Sequence, residues 1–286
     1  MRYHTGMETP PTAAQEITSI TTATAAYIKE HLGGWRWVIL VIAIAWSGAT
    51  VWLGIQNRWD DDGIGIVAFL PWIAILIYVG IVQSKIREQF WQQFAARLGF
   101  SYEKSGDPAL ERATRFQQGH SKKMSHVVAG ERNGRPLRLF TYQYTVGSGK
   151  NSHTYYYTVV EFKVAGRFPH LYLDSRSNWD GAGKGVKIPL PSEFEKEFRL
   201  LAPKEYEIEA LQIFTPDVLA YLLDTKLQYD VELVDQELLV IIGGLANTLE
   251  KLERDFATAI NLFNRLAPVL DKMRFTEIKY HSPALG

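Results

Sequence analysis

Cysteine is absent from this 286-residue sequence, which excludes disulfides, thiolate nucleophiles and cysteine-ligated zinc or iron–sulfur centres. The chain also lacks an excess of charge of either sign, since 31 basic and 31 acidic residues give a formal net charge of zero. Overall charge therefore gives no reason to expect nucleic acid as a partner. Hydrophobic residues make up 47% of the chain, a share typical of folded proteins, so wholesale disorder is excluded as well.

Two long apolar runs stand near the N-terminus, at residues 35–55 and 64–82. As a helix, each run is long enough to cross a hydrocarbon core about 30 Å thick. The polar turn between them contains Arg58 and the three aspartates Asp60–Asp62. A signal peptide is the competing interpretation of the first run, but a second span follows it directly. The sequence therefore predicts a transmembrane hairpin over residues 35–83, inserted in the lipid bilayer.

The orientation of this hairpin follows from the basic residues near the ends of the spans. Lys29 and Arg36 precede the hairpin, and Lys85, Arg87 and Arg97 follow it. Because lysine and arginine are retained on the cytoplasmic side, we expect both termini to be cytoplasmic in a multi-pass protein of the inner (plasma) membrane.

Strand and helix patterns divide the rest of the chain. Residues 1–34 form a cytoplasmic segment with a short helix at 12–32, residues 84–274 a cytosolic domain, and residues 275–286 a tail. Strand signals dominate from 100 to 175, and helices stand at the edges and the end. The predicted fold class is α+β: a two-helix transmembrane hairpin, then a largely antiparallel β-sheet with flanking helices and a long C-terminal helix.

Several local signals make sharper predictions. Residues 85–98 continue the second span as a helix that stops at Gly99, and Asn133–Gly134 indicates a tight hairpin turn. Residues 206–214 are expected to form a strand. Farther along, the patterns predict a helix at 218–226, a strand pair made by 229–232 and 237–242, and a long helix capped by Asn247 with Glu250.

Charge is unevenly distributed along the cytosolic domain. Residues 84–187 contain 17 basic and 8 acidic side chains, whereas residues 188–286 contain 10 basic and 17 acidic ones. The basic half directly follows the membrane, which makes an anionic leaflet its simplest partner. The candidate lipid contacts are Lys85, Arg87, Arg97, Lys122 and Lys123. A solvated, salt-bridged face is the alternative, and nucleic acid, contacted by Arg112, Arg115, Lys122 and Lys123, is not expected because no binding motif surrounds these residues.

The sequence contains no convincing catalytic, cofactor-binding or metal-binding pattern. Glycine-rich loops at 146–152 and 178–185 lack the spacing of a phosphate-binding loop. The histidines are scattered without the spacing of a helical metal pair. If the domain does bind a ligand, these loops form the rim, with Ser148, Lys150, His153 and Lys184 as candidates. We therefore expect no cofactor.

One part of the chain resembles a known group of proteins. The segments Phe194–Pro203, Tyr206–Glu209 and Ile213–Asp217, together with the hairpin anchor, are similar to uncharacterised bacterial inner-membrane proteins with a cytosolic α+β domain of unknown function. The resemblance spans roughly Lys85–Met273. It implies this architecture and a bacterial inner-membrane setting, and it supplies no site residues.

These observations favour a membrane-anchored interaction or scaffolding domain at the cytoplasmic face, with an unidentified protein partner, over an enzyme. The alternatives are an enzyme acting on a membrane-proximal substrate, and an accessory subunit of a transport or envelope complex. In the last case the hairpin would pack with other helices, or form an oligomer, through Gly48, Gly54 or Gly80.

Overall fold

The structure is a computed structural model that describes residues 16–57, 61–110, 113–176, 185–225 and 229–273. The chain divides into two compact units, and the division falls between Gln93 and Phe94. The first unit is helical, and the second contains the β-sheet. The predicted tail at 275–286 and most of the loop at 178–185 lie outside the described residues.

The first described helix is α1 (Ile20–Leu32). Of the helix predicted at 12–32, residues 12–15 lie outside the described residues, and residues 16–19 precede α1. The Ser19 hydroxyl accepts a hydrogen bond from the Thr22 N–H and caps the first turn, so the helix begins after this residue. At the other end Gly33 has a φ of 49° and stops the helix, a backbone conformation that favours glycine at this position.

Two long helices follow, α2 (Trp35–Asn57) and α3 (Asp61–Leu98). Both are long and apolar enough to cross a membrane. Only 17% and 11% of their most apolar windows are buried, whereas a core helix of a soluble protein would be enclosed. The Ser47 hydroxyl donates to the Ala68 carbonyl at 2.8 Å and joins the two helices. Length, composition and exposure together indicate membrane association.

Helix α3 extends beyond the apolar run without a break, which confirms the prediction for residues 85–98. It ends where Gly99 adopts a φ of 70°. The Phe100 N–H then donates to the Ala95 carbonyl at 2.9 Å, a bond that satisfies an otherwise unpaired carbonyl of the last turn.

In the part of the sheet unit that the structure describes there are seven strands, and each pairing between them is antiparallel. The strands are β1 (Ser101–Gly106), β2 (His120–Arg132), β3 (Arg135–Val146), β4 (His153–Ser175), β5 (Val186–Ile188), β6 (Phe198–Ala202) and β7 (Tyr229–Gly243). Their order is β1-β2-β3-β4-β6-β5, and β7 pairs with β4. The α+β prediction is confirmed.

The turn between β2 and β3 is the one that the sequence indicated. Asn133 and Gly134 have φ values of 53° and 74°, and Arg132 pairs with Arg135 on either side of them. Positive φ at both central residues is the requirement of a type I′ turn, which asparagine and glycine meet at low cost.

Strand β7 corrects one prediction about pairing. Residues 229–232 and 237–242 do not pair with each other, because they form a single strand that pairs with β4. Asp235 has a φ of 53° and lies opposite Phe168, where the register shifts. This β-bulge bends the strand without ending it, and in the sequence its polar residues resemble a turn.

Among its described residues the sheet unit has four α-helices, α4 (Ser192–Glu195), α5 (Glu207–Ile213), α6 (Pro216–Asp224) and α7 (Leu249–Leu270). The strand predicted at 206–214 is wrong, because Tyr206, Ala210 and Ile213 are buried at helical spacing. The cap predicted at Asn247 is wrong by one residue, since Thr248 accepts the bond from the Lys251 N–H.

Different segments cover the two faces of the sheet. Phe162 stacks on Phe263 of α7 with a centroid distance of 4.3 Å. On the opposite face, Phe140 and Tyr142 contact Phe116 from a 3₁₀ turn at Thr114–Gln117. Because strand side chains alternate between faces, β3 and β4 contribute to both layers of the core.

Candidate functional site

A buried polar network lies where the Thr114–Gln117 turn meets the sheet. Arg115, Asp230 and Tyr172 are all fully buried. The Arg115 guanidinium donates to Asp230, to the Tyr172 hydroxyl at 2.6 Å and to the Tyr157 hydroxyl at 3.0 Å. Asp230 also accepts a bond from the Ser175 N–H at 2.9 Å. A buried charge of each sign is thus paired and hydrogen-bonded, the condition under which such burial is tolerated.

Burial and charge shift the titration of these groups. Burial raises the pKa of Asp230 to about 6, although Arg115 opposes the change. Burial lowers the pKa of Arg115, whereas Asp230, Tyr172 and Tyr157 raise it. The second effect is larger, so the pKa of Arg115 is raised overall. Burial also raises the pKa of the Tyr172 hydroxyl. Perturbed groups can mark active sites, but these are closed to solvent, so their role is to hold the turn on the sheet.

A second cluster adjoins this network and resembles a catalytic triad only in composition. His170 Nε2 lies 2.6 Å from Glu232 Oε1 and 2.9 Å from Thr114 Oγ1. The Thr114 N–H donates to the same Glu232 oxygen. A nucleophile–histidine–acid relay uses both ring nitrogens, one for each partner. Here both partners contact one nitrogen, so the arrangement is not such a relay.

The accessible feature of the sheet unit is a groove beside α7. Two clefts of about 260 and 330 Å³ meet at Arg132 and Ile260. The residues that α7 and its C-cap contribute run from Glu253 to Asp271, which corresponds to a length of about 27 Å at the helical rise. The opposite side comes from the last turn of α3 and from the β2–β3 hairpin. We call this feature the α7 groove.

The floor of the α7 groove is apolar. It includes Phe94 and Phe256, whose rings meet edge to face with centroids 6.0 Å apart. Farther along lie Ile260 and the stacked pair Phe162 and Phe263. These five side chains are only 1–8% exposed, so the two clefts lie over a packed apolar core and leave a small part of each side chain accessible to a ligand.

Three arginines line the rim of the groove. Arg97 forms an ion pair with Glu253 at 2.6 Å, and Arg135 pairs with Asp271. Arg132 lies between them, where the clefts meet, and is exposed. It forms no ion pair with any residue that the structure describes. The arrangement suits a ligand that brings apolar groups to the floor and a carboxylate or phosphate to Arg132.

No family model matches this chain. No curated protein matches it either. Among solved structures, the chain is similar to the crystal structure of the mycobacterial trehalose monomycolate transport factor A, TtfA. The identity is 12% and the TM-score 0.49, over 64% of this chain and 95% of that chain. A likeness at this level transfers no function.

The predicted ligand rim lies apart from the α7 groove. Ser148 and Lys150 are exposed in the connection between β3 and β4. His153 is exposed at the start of β4, where its ring packs edge to face against Tyr155. None of them lines either cleft of the groove. Lys184 lies outside the described residues. A ligand role for this rim stays a prediction.

The candidate lipid contacts fall in both units. Lys85 and Arg87 belong to the helical unit, where Lys85 Nζ lies 5.6 Å from the centroid of the Tyr27 ring. Lys122 and Lys123 are on β2. Only Arg97 lines the α7 groove. Contact with lipid stays a prediction for all five.

The remaining candidates are the arginines considered for nucleic-acid binding and the residues that could bind a metal ion. Arg115, which the sequence grouped with accessible cations near Phe116, is fully buried and faces Asp230. Arg112 lies outside the described residues. No cluster of three histidine or acidic residues able to hold a metal ion is found in the part of the chain that the structure describes.

Proposed function

We propose that this protein is a membrane-anchored interaction protein whose α7 groove binds a segment of a partner protein. The α7 groove carries the proposal, because Arg132 is exposed on the rim where two clefts with apolar floors meet, and it lacks an ion pair among the described residues. Interfaces often combine aromatic floors with arginine in this way.

The partner segment that suits the groove is an acidic amphipathic helix. Its apolar side chains, spaced three and four residues apart, would lie on Phe256, Ile260 and Phe263, in the manner of other helices that bind in grooves. A carboxylate on its flank would pair with Arg132. The length of about 27 Å accommodates roughly five helical turns.

The setting of this interaction is the cytoplasmic face of a bacterial inner membrane. Two apolar helices support the membrane part of the proposal. The basic residues that flank the spans support the orientation, with both termini in the cytoplasm.

The test is purification of the tagged full chain from native membranes in mild detergent at near-physiological salt, with mass spectrometry of the retained proteins. We expect one partner in near-stoichiometric amount with the wild type and at least about tenfold less with Arg132→Glu, since reversing a central interface charge costs several kcal/mol. Lys196→Glu is the matched control, because Lys196 is exposed in the sheet unit and lies outside the groove. A partner that both variants retain equally, or no partner at all, would contradict the proposal.

A second candidate function is that of an accessory subunit attached through the hairpin. A Cβ atom added at Gly48 or Gly80 would have no neighbour within 4 Å, so either glycine offers a smooth surface to another helix. This association would join the hairpin to a membrane complex or to a second copy of the chain. The same purification distinguishes it, because Gly80→Leu would then lose the partner while Arg132→Glu would keep it.

A further inference from the structure

The helical unit contains a cavity that the proposed function does not use. It has a volume of about 700 Å³ and lies among α1, α2 and α3. Ile28 and Leu32 of α1 form one side of the cavity. Ala43 of α2 and Pro71 and Ile75 of α3 line the rest of it. Ligand pockets commonly measure about 300–1,000 Å³. We call this cavity the hairpin pocket.

Arg36 is the cation of the hairpin pocket, and it stands in the first turn of α2. Its Nε atom is buried and makes no hydrogen bond to any residue that the structure describes. The guanidinium carbon lies 5.5 Å from the centroid of the Trp37 ring. An unmet buried donor is costly, and a charged donor gains most from an anionic acceptor.

The other groups around the pocket are almost wholly apolar. Beyond Arg36 and the Tyr78 hydroxyl, the lining consists of aliphatic side chains, Trp37 and Pro71. Side chains at its margin, such as Ile42 and Trp37, are more than half exposed. In a helix that crosses a bilayer, such exposed side chains meet lipid chains. The occupant must therefore combine a hydrocarbon chain with an anionic oxygen at one end.

We infer that the hairpin pocket binds one anionic phospholipid. An acyl chain lies between α1 and the two spans, and the phosphate accepts hydrogen bonds from Arg36. The position of Arg36 at the start of the span places the phosphate at the membrane interface, where lipid headgroups lie. A net negative headgroup is preferred over a zwitterionic one, because the latter brings its own cation close to the guanidinium.

The pocket differs from the general lipid-facing surface of the hairpin because α1 forms one of its sides. The Ser19 cap and the turn at Gly33 fix the two ends of α1. The Ile17 N–H donates to the Gln93 side chain at 2.9 Å and holds the preceding segment against α3. Ile28 and Leu32 thereby cover a crevice that a bare two-helix hairpin would leave open.

The test is native mass spectrometry of the detergent-purified full chain after incubation with equal amounts of phosphatidylglycerol and phosphatidylcholine of the same acyl composition. We expect one phosphatidylglycerol per chain, preferred over phosphatidylcholine. Arg36→Gln should lower its retention by about tenfold, as expected for a lost hydrogen bond to a charged group. Arg36→Lys should restore part of the preference. Lys29→Gln is the control, since Lys29 is exposed on α1 and lies outside the pocket.

A second pair of variants locates the acyl chain. Ala74 lines the pocket, so Ala74→Phe fills it and should displace the lipid, whereas Leu76→Phe enlarges a side chain that is 71% exposed outside the pocket and should not. Equal binding of both lipids, retention by Arg36→Gln at the wild-type level, or retention by Ala74→Phe would overturn the inference. So would a dimer mass without lipid, since a second copy of the chain would then cover the pocket.

Discussion

At the scale of single residues, the most constrained group is the Arg115 guanidinium. Three carboxylates lie in the same buried region, on Asp174, Asp230 and Glu232. Arg199 pairs with Asp174 at 2.6 Å, His170 with Glu232 and Arg115 with Asp230. A buried ion pair adds little net stability over an apolar pair, but removal of one partner leaves an uncompensated charge. Because Thr114 and Arg115 belong to the Thr114–Gln117 turn, their contacts with Glu232, His170 and Asp230 specify the position of this turn on the sheet.

Asp230 gives a pH dependence whose sign is defined. Its pKa is raised to about 6 from an ordinary 3.8, so the folded state binds this proton more tightly than the unfolded chain. Its contribution to the free energy of unfolding is therefore fully present below pH 3.8 and is lost as the pH rises through about 6. Relative to Asp230→Asn, which does not titrate there, the wild type should lose about 2 kcal/mol between roughly pH 4.5 and 7.

Urea unfolding of the full chain in detergent, followed by the β-sheet circular dichroism, measures this difference. The quantity to compare is the free energy of unfolding of the wild type minus that of Asp230→Asn at each pH, because the other carboxylates titrate in both proteins. A difference that is constant across this range, or that grows in favour of the wild type as the pH rises, would show that Arg115 keeps Asp230 ionised throughout.

At the scale of secondary structure, the start of α7 can be tested directly. Thr248 Oγ1 accepts a hydrogen bond from the Lys251 N–H at 3.3 Å. Thr248→Ala removes this acceptor and should lower the free energy of unfolding by about 1 kcal/mol. Thr248→Ser keeps the hydroxyl and should stay within a few tenths of a kcal/mol of the wild type. Chemical denaturation of the three proteins decides the matter, and equal losses in both variants would mean that the hydroxyl is not the cap.

Sequence patterns predicted the elements whose causes are local. Asn133–Gly134 formed its turn and Gly99 ended α3, because each depends on backbone conformations of one or two residues. Two of the wrong predictions concern a strand pairing that depends on distant residues and a segment whose apolar spacing fits both a strand and a helix. Whether 229–243 folds back on itself or pairs with β4 depends on residues some 70 positions away. At 206–214 the apolar residues fit two periods, and burial of Ala210 selected the helix.

At the scale of the whole molecule, the α7 groove was beyond sequence analysis because distant segments build it. Arg97, Arg132 and Arg135 come from α3 and the β2–β3 hairpin, and Ile260 comes from α7. Only folding brings them together. The sequence did identify Arg97 as a candidate, but as a lipid contact, because it lies close to the end of the second span. The hairpin pocket was missed for a similar reason, since α1 must fold against the spans to form one of its sides.

The absence of cysteine makes the membrane orientation unusually simple to measure. Single cysteines introduced by Ser148→Cys and Asp60→Cys can be labelled with a membrane-impermeant maleimide without background from the native chain. Because the basic residues flank the outer ends of the two spans and the connecting turn has a single arginine, we expect Asp60→Cys to react in intact spheroplasts. Ser148→Cys should react only after permeabilisation. Detergent-solubilised samples, in which both cysteines must react, control for accessibility. The reverse pattern would place the sheet unit outside the cytoplasm, so that any partner of the α7 groove would have to be sought there.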